Sequence, residues 1–183
     1  CGDVPLVRRA SLESLVHASE ENLALLTAEL DDPTGYGRIR RGIDGGVIGI
    51  VEEADADDDE RRITEINTGL LAGPAASIRV WIERLDQSNA QGEYYLTDIV
   101  AHAVADGTGV VGVRIDQAED ALGINDKLQL ANAERVLQRR QADVLMSAGA
   151  RFADPARFDL RGRVLIGTDV FIDVGVVLEG EVE

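Results

Sequence analysis

This sequence predicts an α/β fold on a mixed sheet, followed by the start of a left-handed parallel β-helix. Three observations carry that reading. Aliphatic runs of strand length alternate with helix-period segments through residue 149, the pattern of a sheet covered by helices. Residues 38–41 and 47–51 flank the turn cluster 42–46 and read as a hairpin, which makes the sheet mixed. A six-residue period then appears: Ile166-Gly167-Thr168-Asp169-Val170-Phe171, Ile172-Asp173-Val174-Gly175-Val176-Val177 and Leu178-Glu179-Gly180-Glu181-Val182-Glu183. Each block opens on an aliphatic residue and carries Val fifth, the hexapeptide pattern of a parallel β-helix.

The elements follow in order. Ser11 reads as the cap of a helix through Ser19, with Leu12, Leu15 and Val16 on one face. Residues 22–29 form an aliphatic strand, and Asp31-Asp32-Pro33-Thr34-Gly35 a turn. After the hairpin comes an acidic stretch, Glu52 to Glu60, with seven carboxylates in nine positions. Self-repulsion makes it a solvated, extended loop; the competing reading is a cation site, but its spacing is not that of an EF-hand. Residues 63–71 read as a strand, 75–85 as a helix carrying Trp81, 95–104 as a second helix and 109–115 as a strand. Residues 126–147 read as a long helix, with Leu128, Ala131, Val136 and Leu145 among its apolar positions. Asp154-Pro155-Ala156-Arg157-Phe158 breaks the helical pattern. The predicted organisation is therefore one domain over 1–149, a linker over 150–162 and the β-helix start over 163–183. One coil of such a helix cannot cover its own open end.

The 183 residues are 45% hydrophobic but only 4% aromatic, so the core is aliphatic. Eighteen basic and 34 acidic residues give a net charge of −16, and Lys127 is the only lysine. Such a surface repels nucleic acid, whose non-specific affinity comes from Lys and Arg on phosphates. No run reaches the roughly 20 apolar residues of a membrane span. With one cysteine no intrachain disulfide forms, which fits a reducing cytoplasm. Cys1 reads as a strand residue ahead of Gly2-Asp3 or, alternatively, as a thiol nucleophile. His17 and His102 fall in helix-like segments and read as surface or packing residues; no His/Cys cluster has zinc spacing.

Chemistry-bearing residues recur in an ordered series of blocks. They are Gly2-Asp3-Val4-Pro5, Gly35-Tyr36-Gly37-Arg38-Ile39, Glu65-Ile66-Asn67-Thr68-Gly69, Gly92-Glu93-Tyr94-Tyr95-Leu96-Thr97-Asp98 and Gly123-Ile124-Asn125-Asp126. With Leu30 to Ile39, Asn89 to Tyr95 and Asp154 to Gly162, the series resembles the bifunctional bacterial N-acetylglucosamine-1-phosphate uridylyltransferase/glucosamine-1-phosphate acetyltransferase family over essentially the whole chain. The resemblance implies a Rossmann-like nucleotidyltransferase domain, here incomplete, joined to a hexapeptide-repeat acyltransferase domain.

It also implies a chemistry. A sugar 1-phosphate attacks the α-phosphorus of UTP, and pyrophosphate leaves. The attacking group is already an anion, so positioning and charge neutralisation do most of the catalysis. Mg²⁺ is the implied cofactor. The family's motifs assign its ligands to Asp3 and Asn125, one carboxylate and one amide oxygen, which suits a hard cation that keeps sites for phosphate and water. Read without the family, Asn125 is an N-cap of the following helix, and Asp3 an ordinary turn residue. Gly2 falls in the same binding turn. Gly37 matches a position where backbone meets the nucleotide-sugar, or is a plain turn glycine. Glu52 matches the carboxylate that holds sugar hydroxyls, with Glu53 beside it at a variable position. Asn67 matches the amide that holds the N-acetylglucosamine.

The implied partners are UTP, N-acetylglucosamine 1-phosphate and UDP-N-acetylglucosamine, with acetyl-CoA and glucosamine 1-phosphate for the acetyltransferase, in a homotrimer feeding cell-wall precursor synthesis. The family's Gly-rich Leu-x-x-Gly-x-Gly-Thr loop with its Pro-Lys does not occur in this sequence. The expectation is an internal stretch of a longer enzyme, bearing the sugar side of the cleft and inactive alone. The alternative is a non-catalytic fragment or a β-helix assembly module.

Overall fold

The computed structural model describes residues 2–183; Cys1, and both readings of it, lie outside the described residues. The chain forms two compact units, Cys1–Gly123 and Ile124–Glu183.

In the first unit, α1 spans Arg9–Ala18. Ser11 does not cap it. The extended residue that precedes the helix is Arg8, so Ser11 already lies in the first turn. The strands are β1 (Leu23–Glu29), β2 (Arg38–Arg41), β3 (Val47–Val51), β4 (Glu65–Ala72) and β5 (Val110–Arg114), in the sheet order β3-β2-β4-β1-β5. β1 runs parallel to β5 and antiparallel to β4, and the hairpin β2–β3 is antiparallel, so the sheet is mixed as expected. β1 lies inside the sheet, between β4 and β5, and is buried from Leu23 to Ala28, which is why its sequence is apolar on both faces but for Thr27 rather than alternating. α2 (Ala75–Ile82) and α3 (Ile99–Ala105) complete the unit, and a 3₁₀ turn at Leu96–Asp98 replaces the expected first turn of α3.

The period-two alternation of strand side chains divides the core. On one face Leu23, Leu25, Ile39 and Val47 pack with Trp81, Ile99, Val100 and Ala103. On the other, Ala24, Leu26, Ala28 and Ile66 pack with Leu15, Ile115 and Ala121. Helices therefore cover both faces. Each fully buried Leu or Ile stabilises this arrangement by about 1.5–3 kcal/mol.

In the second unit α4 (Lys127–Ser147) is followed by β6 (Arg151–Phe152), β7 (Phe158–Val164), β8 (Phe171–Ile172) and β9 (Val176–Val182). β7 and β9 pair in parallel, each residue with the one eighteen positions later, from Phe158↔Val176 to Val164↔Val182. β6 and β8 also pair in parallel. Residues 150–162, expected as a linker, instead carry β6 and most of β7, with Phe158 only 1% exposed. The pattern break at Pro155 is real, but it is a short 3₁₀ turn between two paired strands. Ala142 and Leu145 of α4 pack on Phe158, Leu160 and Ile172, with Ile166 and Leu178 partly buried against them. The aliphatic openers of the hexads thus all contribute to this core.

Among the described residues no helix is long and apolar enough to cross a membrane.

Candidate functional site

Three residues picked out by motif converge at one end of the β3-β2-β4 ladder. Arg38 pairs with Val51 on one side and with Ile66 on the other. One residue further out, Gly37 therefore lies between Glu52 and Asn67. The Asn67 N–H donates to the Gly37 carbonyl at 2.8 Å. A Cβ on Gly37 would lie 3.1 Å from Glu52 Oε2 and 3.0 Å from Ile50 Cγ2, so the carboxylate packs directly on the glycine backbone. Alternation puts Gly37 with Ile39, Glu52 with Ile50, and Asn67 with its ladder partner Thr27, all on the face of the first core cluster.

Asn67 is aimed by a bulge. Between the pairs Thr27↔Asn67 and Leu25↔Leu71, β4 carries two more residues than β1. Gly69 sits there at φ +78°, a backbone conformation that glycine adopts without penalty. The Thr68 hydroxyl donates to the Leu26 carbonyl at 2.8 Å, and Asn67 Oδ1 accepts from Gly69 N–H at 3.1 Å. With its oxygen committed, the Asn67 carboxamide has its NH₂ to offer a ligand acceptor.

Glu52 is fixed by a residue that sequence reasoning left without a role. Thr97 Oγ1 donates to Glu52 Oε1 at 2.7 Å. The motif Tyr94-Tyr95-Leu96-Thr97-Asp98 was visible, but nothing local links it to a strand end 45 positions away. Oε2 remains against Gly37. Burial, more than the neighbouring carboxylates Asp86 and Asp55, pushes the next side chain, Asp98, above the usual range, while His102 opposes the shift. Burial also raises Tyr95, with Asp55 contributing.

The acidic stretch is not uniformly the solvated loop expected. Its later members form local turns: Asp57 Oδ1 accepts from the Asp59 and Glu60 N–H groups at 2.9 and 2.8 Å. Its first two members point back to the sheet. Glu52 meets Thr97, and Glu53 Oε2 accepts from Arg38 at 2.6 Å and from Gly35 N–H at 3.1 Å. Asp55 Oδ1 accepts from Ala90 N–H at 2.7 Å, tying this loop to the 86–95 segment. Among the described residues no group of three or more His, Cys, Asp or Glu gathers as a metal site. His17 is exposed, 3.3 Å from Glu20, as a surface residue.

Gly2 and Asp3 form an exposed turn in the first unit. Gly123, which opens the Gly-Ile-Asn-Asp block, lies beside them, its Cβ position 4.0 Å from the Asp3 carbonyl oxygen. The Tyr36 hydroxyl accepts from Gly123 N–H at 3.4 Å, so the Gly-Tyr-Gly turn touches that segment too. Asn125 belongs to the second unit. It is exposed and does not cap α4: Asp126 does, accepting from Gln129 N–H at 2.7 Å, while Gln129 Oε1 accepts from the Asn125 N–H at 2.6 Å. The Asn125 carboxamide is thereby left outside the cap. Asp3, in the first unit, and Asn125, in the second, each bring an oxygen donor of the type a partly hydrated Mg²⁺ takes.

No family model matches the chain. The bifunctional protein GlmU of Alkalilimnicola ehrlichii is 54% identical over 182 residues, 100% of this chain and 39% of its own length. The bifunctional proteins GlmU of Methylococcus capsulatus and Stutzerimonas stutzeri are 53% and 55% identical, each over 99% of this chain and 40% of their own lengths. The chain thus spans about two fifths of the length of these curated relatives. A solved structure of a Bacillus anthracis protein assigned as a glucose-1-phosphate thymidylyltransferase aligns with a TM-score of 0.49 and 20% identity, over 70% of this chain and 48% of its own.

Proposed function

From a chain that belongs to the bifunctional GlmU family, over the two fifths of its relatives' length that it matches, we propose that the first unit forms the sugar-binding wall of a uridylyltransferase site. The convergence of Gly37, Glu52 and Asn67 at one ladder end supports this reading most directly. The proposed substrates are N-acetylglucosamine 1-phosphate and UTP, and the products UDP-N-acetylglucosamine and pyrophosphate.

The roles follow from the donors and acceptors each residue has left. Glu52 Oε2 accepts from sugar hydroxyls while Thr97 holds its other oxygen. Asn67 donates its NH₂ to the acetamido carbonyl, its own oxygen being satisfied by Gly69. Gly37 lets the sugar ring approach the backbone. A phosphate oxygen of the sugar 1-phosphate then forms a bond to the α-phosphorus of UTP, and the bond to the bridging oxygen breaks, its electron pair leaving with pyrophosphate. Asp3 and Asn125 are the family's metal-ligand positions, and Mg²⁺ bound there would neutralise phosphate charge. That assignment rests on the motifs.

For the second unit we propose the opening coil of a left-handed β-helix of the acetyltransferase domain. Three hexads make eighteen residues, the register at which β7 pairs β9. This reading carries the proposals of acetyl-CoA and glucosamine 1-phosphate as further substrates, a homotrimeric assembly and a cytoplasmic enzyme.

The test is pyrophosphate release by the protein carrying this chain, given UTP, N-acetylglucosamine 1-phosphate and Mg²⁺. Asn67→Ala and Glu52→Ala should each raise KM for the sugar phosphate about tenfold or more, the loss expected when groups that hydrogen-bond a substrate are removed. Absence of release, or unchanged constants in both variants, would overturn the proposal.

A further inference from the structure

Behind the site, on the opposite face of the same strand ends, lies a charge pair with no role so far. Gly37 and Ile39 lie on one face, so Arg38 between them points to the other, and Glu53, in the turn that follows β3, meets it there. The Arg38 side chain is 2% exposed, and its Nη2 donates to Glu53 Oε2 at 2.6 Å. Nη1 donates to the Tyr36 carbonyl, while Nε is buried without a hydrogen-bond partner among the described residues. Glu53 Oε2 also takes the Gly35 N–H, and Oε1 lies 3.8 Å from Arg61.

The position of this pair matters more than its strength. The β2–β3 ladder ends at Arg38↔Val51. Among the described residues no strand pairing beyond it holds the Gly35-Tyr36-Gly37 turn against Glu52. The Glu53 carboxylate bridges that gap, gripping the turn by the Gly35 amide and the strand by Arg38. We infer that Glu53 and Arg38 are positioning residues for the sugar site, a clamp that sets the separation of Gly37 and Glu52 from behind. This inference rests on the function proposed above. Neither residue need touch the ligand. The pair acts by fixing a turn whose displacement by a fraction of an ångström would move Gly37 out of contact with the Glu52 carboxylate.

The experiment compares the unaltered protein with Glu53→Ala and Glu53→Gln. Kinetic constants are measured for both substrates, and amide hydrogen exchange is followed at residues 35–37. Glu53→Ala should raise KM for N-acetylglucosamine 1-phosphate about ten- to hundredfold, the cost of misplacing a binding group by up to an ångström. KM for UTP and kcat should stay within about twofold. Glu53→Gln keeps an acceptor for Gly35 N–H and should recover part of the loss. Exchange at residues 35–37 should quicken in Glu53→Ala while the β1 amides stay protected. Because Glu53→Ala leaves Arg38 buried and unpaired, Arg38→Met/Glu53→Ala is made in parallel, and it should show the same selective KM rise. Unchanged KM, or a parallel loss for both substrates, overturns the clamp. If the unaltered protein releases no pyrophosphate, the proposed function fails, and exchange at residues 35–37 alone decides whether the clamp exists.

Discussion

The Glu52 carboxylate rests on the Gly37 backbone so closely that a Cβ at residue 37 would lie 3.1 Å from Oε2. Gly37 is not in a left-handed conformation, so an alanine is allowed by its backbone and excluded only by its neighbours. Gly37→Ala therefore isolates the steric role of the glycine. Ile50 and the Glu52 carboxylate, or the turn itself, must give by a few tenths of an ångström, which strains the bond from Thr97 to Glu52. The expected result is a loss of sugar-phosphate affinity of about tenfold or more, with a stability cost of about 1–3 kcal/mol for the overpacking. Isothermal titration and thermal melts check the two separately. Unchanged affinity would show that Glu52 does not hold the sugar from this position.

Acid titration should expose the same strand ends from the side of stability. The Arg38 guanidinium, then the Gly35 N–H, holds Glu53 below the usual carboxylate range. Burial is the largest influence on Glu65 and would raise it, but the bonds from Arg41 and Thr27 bring it below the usual range. Both groups thus have folded pKa values beneath their unfolded value of about 4.3. Their stabilisation is complete above that value and is lost as pH falls through the lower folded values. Asp98 has the opposite sign. Burial raises its folded pKa, so stability falls as pH climbs from the unfolded value through the folded one. Melting curves from pH 7 to pH 3 should show a shallower acid limb in Glu53→Gln, and Asp98→Asn should melt higher at pH 7. A lower melting point for Asp98→Asn would mean that the ionised carboxylate makes a contact that outweighs its burial.

Local signals were legible, and pairings between distant residues were not. The hairpin strands 38–41 and 47–51 stand where their sequence put them, because the glycine-rich turn 42–46 marks the inner end of each. Motif resemblance singled out Gly37, Glu52 and Asn67, and their assembly follows from strand register. Thr97, Arg38 and Glu53 stand in or beside those motifs, but their pairings carry no sequence signal, because side chains 15 or 45 residues apart leave no periodic trace. β6 and β7 read as a linker for a related reason: their partners, β8 and β9, come some eighteen to twenty residues later. Read without the family, Asn125 is a cap candidate, because both Asn and Asp suit that position. The choice falls to Asp126, the extended residue directly before the helix, with Gln129 three positions on.

That division of labour between neighbours is itself testable. Asp126→Ala removes the acceptor of the Gln129 N–H and should destabilise α4 by about 1 kcal/mol. Asn125→Ala leaves the cap intact and should not move the melt. If Asn125 is a metal ligand, the same substitution should raise the Mg²⁺ concentration needed for half-maximal turnover. A drop in stability for Asn125→Ala equal to that of Asp126→Ala would return Asn125 to a capping role.

Two glycines face each other across the parallel pair β7–β9 and should respond very differently to a methyl group. Gly162 pairs with Gly180 in the ladder. At φ +155°, a Cβ on Gly162 would overlap the Gly180 carbonyl, which is backbone and cannot rotate aside. Gly180 is also left-handed, at φ +80°, yet a Cβ there would meet nothing within 4 Å. Gly180→Ala should therefore cost only the backbone strain, about 1–2 kcal/mol. Gly162→Ala must part the strands, and should cost about 3 kcal/mol or more. Two probes locate the damage. Trp81 is the only tryptophan and lies buried in the first unit, so its fluorescence follows that unit. The long helix α4 packs on Phe158 and Leu160, so far-UV circular dichroism weights the second. In urea, Gly162→Ala should shift the dichroism transition far more than the fluorescence transition. Equal shifts for the two alanines would mean that β7 and β9 are not held at this register.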